Sequence, residues 1–451
     1  MQLKKNDDIK LKIENSTLDG SGIGRYDGMT VFVRPAVRGD EVTAHILKVK
    51  SSYAYASVKE IEKPSPYRIS APCPVYGKCG GCCFCHLDYA EELRIKQTHV
   101  ADCLRRIGGI EPEIEEITGS EKIYGYRNKA QYPVEINGDK VSIGFYANHS
   151  HRVVNCPSCS LQPPEFEIIL RAFTDYIVKK GITSYNEETG RGLLRHIYLR
   201  KGTASGEIMV CPVINADKMP DEDALVKTLT GACENIKSIV VNSNKEKTNV
   251  ILGKHCRTLY GSGYITDTLC GLTFRLSPLS FYQVNRDQAE KLYMKAAEYA
   301  ALTGRETLLD LYCGTGTIGL SMASKAREVI GVEIVENAVE DAKTNAKLNN
   351  ISNASFICAD AAQAAEMLRE KGVSPQVVII DPPRKGCSPA AVKIIAEMSP
   401  RRVVYISCDP ATLARDCKLF EEFGFRTLKA APFDMFSRAG HVETVVLMIK
   451  K

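Results

Sequence analysis

Hydrophobic and polar residues alternate through much of the first 62 positions of the chain. Four segments show the alternation, at 8–15, 29–35, 40–50 and 53–62, and such alternation is typical of strands with one buried face. The glycine-rich segment DGSGIGRYDG at 19–28 separates the first two and predicts a turn. Together these segments predict a small β-barrel.

The rest of the chain shows two further patterns. Four prolines in KPSPYRISAPCP (63–74) predict a linker, and a mixed region follows, with a helical segment at 89–109 and β-like runs after it. From about residue 267, short apolar runs such as TLLDLYCG and QVVIIDPP alternate with amphipathic helices, which predicts a mostly parallel α/β sheet. The expected domains are residues 1–62, 63–266 and 267–451.

Length and composition narrow the class of protein. The 451 residues exceed one ordinary domain, and 44% hydrophobic residues are enough to build several cores. No apolar run approaches the ~20 residues of a membrane span, and the first residues lack a signal-peptide pattern. We therefore expect a cytoplasmic protein with no membrane partner. The net charge of +5 is a weak indication of an anionic partner, and no obligate protein partner is evident.

Cysteines are concentrated in one short segment. CPVYGKCGGCCFCH, at 73–86, holds five of the 17 cysteines. Thiols stay reduced in the cytoplasm, so metal binding or thiol chemistry is a better explanation than a disulfide framework. Taken alone, the segment is compatible with zinc, an iron–sulfur cluster or a redox thiol pair. Cys233 and Cys358 lie in apolar surroundings and are expected in the core.

A glycine-rich turn between a predicted strand and a predicted helix indicates a nucleotide site. In LLDLYCGTGTIGL, Gly314, Gly316 and Gly319 allow a ligand to approach the backbone closely. Glu333 ends the next apolar run, at about the distance along the chain where an acidic residue binds ribose hydroxyls. A dinucleotide enzyme would show the same pair, so this alternative stays open here.

Three more candidate residues belong to later strands of the same predicted sheet. Asp381 precedes two prolines at the carboxyl edge, where open α/β sheets bind ligands, although it could simply end a strand. Cys408 lies at the same edge ahead of a helix, where partial exposure and a lowered thiol pKa would favour a nucleophile over a buried strand cysteine. Glu443 is the only acid in its apolar strand. Because burying a carboxylate is costly, it is expected to act in proton transfer or to make a structural hydrogen bond.

Six motifs in this order resemble the RNA uridine-5-methyltransferase family, specifically its 23S ribosomal RNA branch. They are SFYQVN, DLYCGTGTIGL, GVE, DPPRKG, SCDPATLARD and GHVET. The N-terminal segment resembles a TRAM domain, an OB-like RNA-binding barrel, and the cysteine segment resembles the family's iron–sulfur segment. The resemblance implies an α/β, Rossmann-like class I methyltransferase domain. Before it would come the barrel and a mixed α+β central domain with a [4Fe-4S] cluster and an RNA-binding surface.

The resemblance also implies roles for individual residues of the methyltransferase domain. Cys408 matches the nucleophile that adds to C6 of uridine, and Glu443 matches the base that removes the C5 proton after methyl transfer. Asp310 is expected to order the glycine turn. Two positions depart from the family, since Asp409 and Thr317 stand where relatives have Asn. S-adenosylmethionine is expected to contact Gln283, Tyr312, Glu333, Asp360 and Asp381.

For the cluster, the resemblance implies three ligands in one segment and a distant fourth. The three match the spacing C-x5-C-x2-C, at Cys73, Cys79 and Cys82. The fourth matches Cys156, which precedes a proline, with Cys159 as the second choice. Zinc would accept the same thiolates. Cys83 and Cys85 are expected to be additional, non-ligand thiols.

Three other functions compete with this interpretation. A radical methylthiotransferase also combines a TRAM domain, an iron–sulfur cluster and S-adenosylmethionine, but it needs the spacing C-x3-C-x2-C. An amino-methyltransferase usually has an aromatic residue where this chain has Arg384. A non-catalytic RNA-binding protein would leave Cys408 and Glu443 unexplained. The sequence therefore favours an enzyme that methylates C5 of uridine in 23S ribosomal RNA.

Overall fold

The computed structural model describes residues 3–138 and 140–451. The predicted N-terminal barrel is confirmed and closes in the order β1-β2-β3-β5-β4. Its strands are β1 (Asp8–Ser16), β2 (Gly22–Tyr26), β3 (Met29–Arg34), β4 (Glu41–Val49) and β5 (Tyr53–Lys63).

Strand β2 lies in the glycine-rich segment that was predicted to be only a turn, so that prediction was wrong. Its glycines let neighbouring side chains cover the backbone. A Cβ added to Gly22 would lie 2.7 Å from Ile13 Cγ2, and one added to Gly24 would lie 2.5 Å from Leu11 Cδ1. Because Gly22 and Gly24 have no side chains, other residues can pack closely against this strand.

The middle of the chain forms a seven-stranded sheet in the order β13-β12-β11-β10-β7-β8-β9. Two helices, α2 and α3, share an apolar core with one face of this sheet. The predicted helix at 89–109 is confirmed as α1, which continues into a π-helical turn at Leu104–Gly108. The elements are α1 (Tyr89–Cys103), β6 (Glu113–Ile114), β7 (Lys129–Asn137), β8 (Lys140–Tyr146), β9 (Val153–Asn155), α2 (Pro164–Lys180), β10 (Leu194–Lys201), β11 (Ile208–Ile214), α3 (Glu222–Ala232), β12 (Ile236–Ser243) and β13 (His255–Gly261).

The C-terminal region is the predicted, mostly parallel α/β sheet, in the order β18-β17-β16-β19-β20-β22-β21-β6. The first five strands are parallel, and β22 runs antiparallel to both of its neighbours. The elements are a hairpin of β14 (Ile265–Leu269) and β15 (Leu272–Leu276), then α4 (Arg286–Ala300), β16 (Thr307–Leu311), α5 (Thr317–Met322), β17 (Glu328–Glu333), α6 (Glu336–Leu348), β18 (Ala354–Cys358), α7 (Ala361–Glu370), β19 (Val377–Ile380), α8 (Pro389–Glu397), β20 (Arg402–Ser407), α9 (Pro410–Glu422), β21 (Phe425–Phe433) and β22 (Glu443–Lys450).

Two cysteines expected in the core have different environments. Cys233 is buried, whereas Cys358 is exposed because β18 is the edge strand of its sheet. The prediction for Cys358 was therefore wrong. Among the described residues, no helix is long and apolar enough to cross a membrane.

Part of the middle region packs into the C-terminal core. Strand β6 pairs in parallel with β21 at the edge of the C-terminal sheet. Val100 of α1 and Leu104 belong to the same buried cluster as Leu413 and Phe420 of α9. Residues 89–114 thus fold against the sheet, although they precede it by some 150 positions or more along the chain.

A fully buried group of charges joins α1 to the loop between β21 and β22. Lys96 Nζ lies 2.7 Å from Glu92 Oε1 and 2.6 Å from Asp434 Oδ1, and Arg438 Nη1 lies 3.4 Å from Glu92 Oε2. These four side chains are at most 3% exposed. The backbone carbonyl of Arg438 accepts a hydrogen bond of 3.0 Å from the backbone N–H of Cys83. The group of buried charges therefore connects helix α1, the loop between β21 and β22, and the cysteine segment.

Replacing Lys96 tests the importance of this group. We expect Lys96→Met to lower the free energy of unfolding by about 3–5 kcal/mol, because two buried carboxylates lose their shared cation. Urea unfolding followed by circular dichroism measures the change. Lys59→Met is the matched control, since Lys59 forms an exposed pair with Asp8 and its loss should change stability little. Similar small effects of both variants would contradict the structural role of the buried group.

Candidate active site

The glycine turn after β16 is built around a buried carboxylate. The backbone N–H of Gly319 donates to Asp310 Oδ2 at 2.8 Å, and a Cβ on Gly319 would lie 2.7 Å from the same oxygen. The other oxygen of Asp310 is buried and has no hydrogen-bond partner among the described residues. Burial raises the pKa of Asp310 to about 7, against the lowering effect of the Gly319 hydrogen bond. Asp310 thus fixes the conformation of the glycine turn.

Glu333, at the end of β17, also forms hydrogen bonds with the glycine turn. Its carboxylate accepts hydrogen bonds from the backbone N–H groups of Gly314, at 3.1 Å, and Val335, at 2.9 Å. The Thr315 hydroxyl donates to the backbone carbonyl of Phe281 at 3.3 Å. That bond brings the SFYQVN segment to the glycine turn.

The remaining residues predicted to contact S-adenosylmethionine lie along the same edge of the sheet or beside it. Tyr312 directly follows β16 in a left-handed backbone conformation, with φ of 65°. Asp360 follows β18 and caps α7, accepting from the backbone N–H of Ala362 at 2.9 Å. The backbone carbonyl of Gln283 accepts from Asn128 Nδ2 at 2.8 Å, which fixes it against the middle region.

Cys408 and Glu443 come together at the ends of two antiparallel strands. Ser407 of β20 is paired with Thr444 of β22, so the next residues, Cys408 and Glu443, stand side by side at the carboxyl edge. Asp381 follows the neighbouring strand β19. Glu443 is 5% exposed and makes no side-chain hydrogen bond within the described residues. Burial, followed by the charge of Asp381, raises the pKa of Glu443 to about 8.

The environment of Cys408 differs from the expectation of a lowered pKa. Burial, followed by the nearby carboxyl groups of Glu443 and Asp381, raises the pKa of the Cys408 thiol to about 11, and Arg384 opposes the rise. The prediction was wrong for the free protein because the burial of the thiol, which is the largest cause of the raised pKa, depends on tertiary contacts that the sequence pattern does not show. Burial alone raises the pKa of Asp381 to about 7.

The two departures from the family pattern have structural explanations. The side chain of Asp409 caps α9, accepting from the backbone N–H groups of Ala411 at 2.9 Å and Thr412 at 3.1 Å. An asparagine oxygen could accept the same bonds. Thr317 is buried, and its hydroxyl lies 3.1 Å from the hydroxyl of Tyr293.

The structure adds two residues to the site that were not predicted. Arg384 Nη2 lies 3.4 Å and 3.3 Å from the two ring nitrogens of His441. Burial and the nearby Arg384 lower the pKa of His441 to about 4, so the ring is neutral near pH 7. Arg384 occurs in the motif DPPRKG and His441 in the motif GHVET, but no sequence signal indicates that the two residues touch.

The predicted cluster cysteines are brought to one region. Cys79 forms a β-bridge with Ala147, and the backbone N–H of Cys156 donates to the carbonyl of Ile143 at 2.9 Å. Hydrogen bonding with Cys156 lowers the pKa of Cys159 to about 7. Burial raises the pKa of Cys73 and Cys79, and hydrogen bonding with Cys85 followed by burial raises the pKa of Cys82; the nearby Cys159 adds to all three rises. Even so, no three His, Cys, Asp or Glu side chains of residues 3–138 and 140–451 form a group that could hold a metal ion.

A strand, a glycine turn, a helix and an acidic residue ending the next strand form a Rossmann-like nucleotide site, and its matches to known proteins assign it to the class I S-adenosylmethionine-dependent methyltransferases. Residues 260–451 match the family model described as tRNA (uracil-5-)-methyltransferase, and residues 3–59 match the TRAM domain. An RNA methyltransferase of Clostridium tetani is 44% identical over 446 residues, which cover 99% of this chain and 97% of that protein. One of Bacillus cereus is 42% identical over 447 residues, with 99% and 97% coverage.

A solved structure extends the comparison to the whole fold. Pyrococcus abyssi tRNA (uracil-54, C5)-methyltransferase in complex with S-adenosyl-L-homocysteine superposes with a TM-score of 0.78 and 28% identity, over 98% of this chain and 100% of that one. The chain belongs to the RNA (uracil-5-)-methyltransferase family. It is an S-adenosylmethionine-dependent methyltransferase with an N-terminal TRAM domain.

The raised pKa of Cys408 predicts slow alkylation of the free protein. Between about pH 7 and 9, we expect iodoacetamide to modify Cys408 far more slowly than the exposed Cys358. In Glu443→Gln, Cys408 should react faster at the upper end of this range, because a nearby negative charge is absent. Peptide mass spectrometry measures both thiols in one sample. An unchanged rate for Cys408 in the variant would contradict the coupling of these two groups.

Proposed function

We propose that the protein methylates C5 of uridine in 23S ribosomal RNA through a covalent adduct with Cys408. The observation that carries the proposal is the position of Cys408 beside Glu443 at the carboxyl edge, next to the glycine turn. A thiol and a carboxyl group with a raised pKa form a nucleophile and a base in one pocket.

The choice of ribosomal RNA rests on resemblance. The TRAM domain, the cysteine segment and the six motifs resemble the ribosomal branch of the family. Transfer RNA is the second candidate, because the superposed Pyrococcus abyssi protein is a tRNA (uracil-54, C5)-methyltransferase. The target base must leave its stack to reach the pocket, at a cost of a few kcal/mol.

We propose that S-adenosylmethionine is held along the carboxyl edge of the sheet. The close backbone approach that the glycine turn allows and the Glu333 carboxylate at the end of β17 fit its amino acid and ribose groups. When bound, the cofactor supplies the electrophilic methyl group that activated C5 takes up. The proposed contacts are Gln283, Tyr312, Glu333, Asp360 and Asp381.

Each proposed catalytic residue has one task. The Cys408 thiolate adds to C6, which makes C5 enolate-like and able to accept the methyl group. Arg384 opposes the raised pKa of both Cys408 and Glu443 and so favours their charged forms. The Glu443 carboxylate then removes the C5 proton, and the C5–C6 double bond re-forms as the thiolate leaves. A pKa of about 8 suits a base that takes up a proton near neutral pH.

We further propose a [4Fe-4S] cluster on Cys73, Cys79, Cys82 and Cys156. Four thiolates from two segments match the ligand chemistry of such a cluster. The backbone contacts of Cys79 with Ala147 and of Cys156 with Ile143 support the proposal, although the thiols of the described residues are not arranged as a metal site. The cluster would fix the middle region, and no step of the reaction passes through it. The approach of Cys159 to the other thiols keeps it as the second choice for the fourth ligand.

Iron content distinguishes these assignments. In anaerobically purified protein, Cys156→Ser should lose the iron and sulfide that the wild type carries, because the cluster lacks a ligand. Cys85→Ser is the matched control, since Cys85 is buried nearby and is not a proposed ligand. Loss of iron in Cys159→Ser but not in Cys156→Ser would reverse the choice. Zinc instead of iron would contradict the cluster.

Trapping the adduct tests substrate and mechanism together. We expect Glu443→Gln to accumulate a covalent complex with 23S ribosomal RNA, because the C5 proton stays on and the thiol cannot leave. Denaturing gels after incubation with ribosomal or transfer RNA show which RNA is trapped. Cys408→Ala should give neither adduct nor product, and Cys417→Ala, which alters a buried thiol of the adjacent helix, is the control. Full turnover by Glu443→Gln would refute its role as the base.

A further inference from the structure

Arg127 and Lys129 lie beside the proposed catalytic cleft, on the middle region. Between them, the backbone N–H of Asn128 donates to the carbonyl of Val284 at 2.8 Å, and its side chain donates to the carbonyl of Gln283 at 2.8 Å. These bonds fix the start of β7 against the SFYQVN segment. The two cations are therefore held close to a proposed cofactor residue.

Neither cation has an acidic partner among the described residues. The Arg127 guanidinium lies 5.8 Å from the ring centres of Tyr126 and Phe436, and its Nε atom is buried with no hydrogen-bond partner. Lys129 is only partly exposed, and it forms no salt bridge or side-chain hydrogen bond with any residue that the structure describes. An unpaired, partly buried cation is unfavourable unless an anion binds it.

The residue opposite Lys129 in the sheet adds a further positive charge. Lys129 is paired in register with Arg200 of β10. Arg200 does not offset the charge, because its own N–H groups donate to the backbone carbonyls of Ser277 and Ser280, both at 2.7 Å. Burial, followed by the charges of Arg200 and Arg127, lowers the pKa of Lys129 to about 8. Three cations thus lie together, and within residues 3–138 and 140–451 no carboxylate contributes to the shift of Lys129.

Arg127 is linked to the proposed catalytic residues through the rings of Phe436 and His441. Phe436, which packs under Arg127, meets the His441 ring edge-on at 5.8 Å. His441 precedes Glu443 by two residues and also contacts Arg384. The cleft near the proposed base is therefore flanked by a cation from the middle region and one from the C-terminal sheet.

We propose that Arg127 and Lys129 bind a backbone phosphate of the RNA next to the uridine that is methylated. This inference rests on the proposed function, which brings RNA to this cleft. A guanidinium and an ammonium group side by side match the oxygens of a phosphodiester. Phosphate contacts position a nucleic acid without reading its sequence, so this site orients the strand while the pocket selects the base.

A different explanation for Arg127 also has a basis in the structure. The Cys156 hydrogen bond lowers the pKa of Cys159 and Arg127 adds to that lowering, while at Cys82 the Cys85 hydrogen bond and burial raise the pKa and Arg127 opposes the rise. Arg127 could therefore serve as the counter-charge of the cysteine group alone. Lys129 has no such neighbour among the groups that act on it. Testing the two residues separately distinguishes an RNA site from a counter-charge.

The test measures RNA binding rather than methylation. A fluorescent single-stranded RNA containing uridines is titrated with the full-length protein and S-adenosyl-L-homocysteine at several salt concentrations. We expect Arg127→Gln and Lys129→Gln each to weaken binding about tenfold at low salt. Each should also lower the slope of log affinity against log salt by about 0.7, because one phosphate contact is lost. Lys237→Gln, an exposed site on β12, should match the wild type.

Conservative variants and a second readout complete the test. Lys129→Arg should restore most of the affinity, which a purely structural role would not predict. Wild-type affinity and salt slope in both glutamine variants would overturn the proposal. Loss of iron with an unchanged slope in Arg127→Gln would assign Arg127 to the cysteines instead. If the wild type bound no RNA, the proposed function itself would fail, and with it this inference.

Discussion

The buried ammonium group of Lys96 holds together parts of the chain that are far apart in sequence. It bonds to Glu92 on its own helix and to Asp434 in the loop between β21 and β22. It also donates to the backbone carbonyl of Phe436 at 3.1 Å. That loop runs directly into Glu443, so the position of the proposed base depends on a cation contributed by the helix that follows the cysteine segment.

The same loop also reaches the N-terminal barrel. Gly440 lies against the backbone carbonyl of Leu18, where a side chain would have no room. Cys83 donates from its thiol to that carbonyl as well, at 3.4 Å. Buried charges add little to stability when compared with well-packed apolar groups, but they penalise every arrangement that separates them. We infer that this group selects one relative arrangement of barrel, cysteine segment and sheet.

Desolvation governs the chemistry at the carboxyl edge. Asp310, Asp381 and Glu443 all have raised pKa values, and burial is the largest cause for each. The same burial keeps Cys408 protonated in the free protein. Cations therefore matter at this site, and Arg384 is the one that acts on both Cys408 and Glu443. Arg127 and Lys129, which have no acidic partner in the part of the chain that the structure describes, extend this positive charge towards the middle region.

The sequence by itself determined the barrel, the parallel sheet and the order of the motifs, because hydrophobic period and turn residues act locally. It also placed Asp381 and Cys408 at one edge, since carboxyl ends of neighbouring parallel strands meet there. Only the tertiary structure decided that Gly22 and Gly24 lie in a strand, that β6 joins the distant sheet, and which charges surround each group. These outcomes depend on contacts between segments far apart in the chain, and a pKa depends on burial and neighbours that no local pattern encodes.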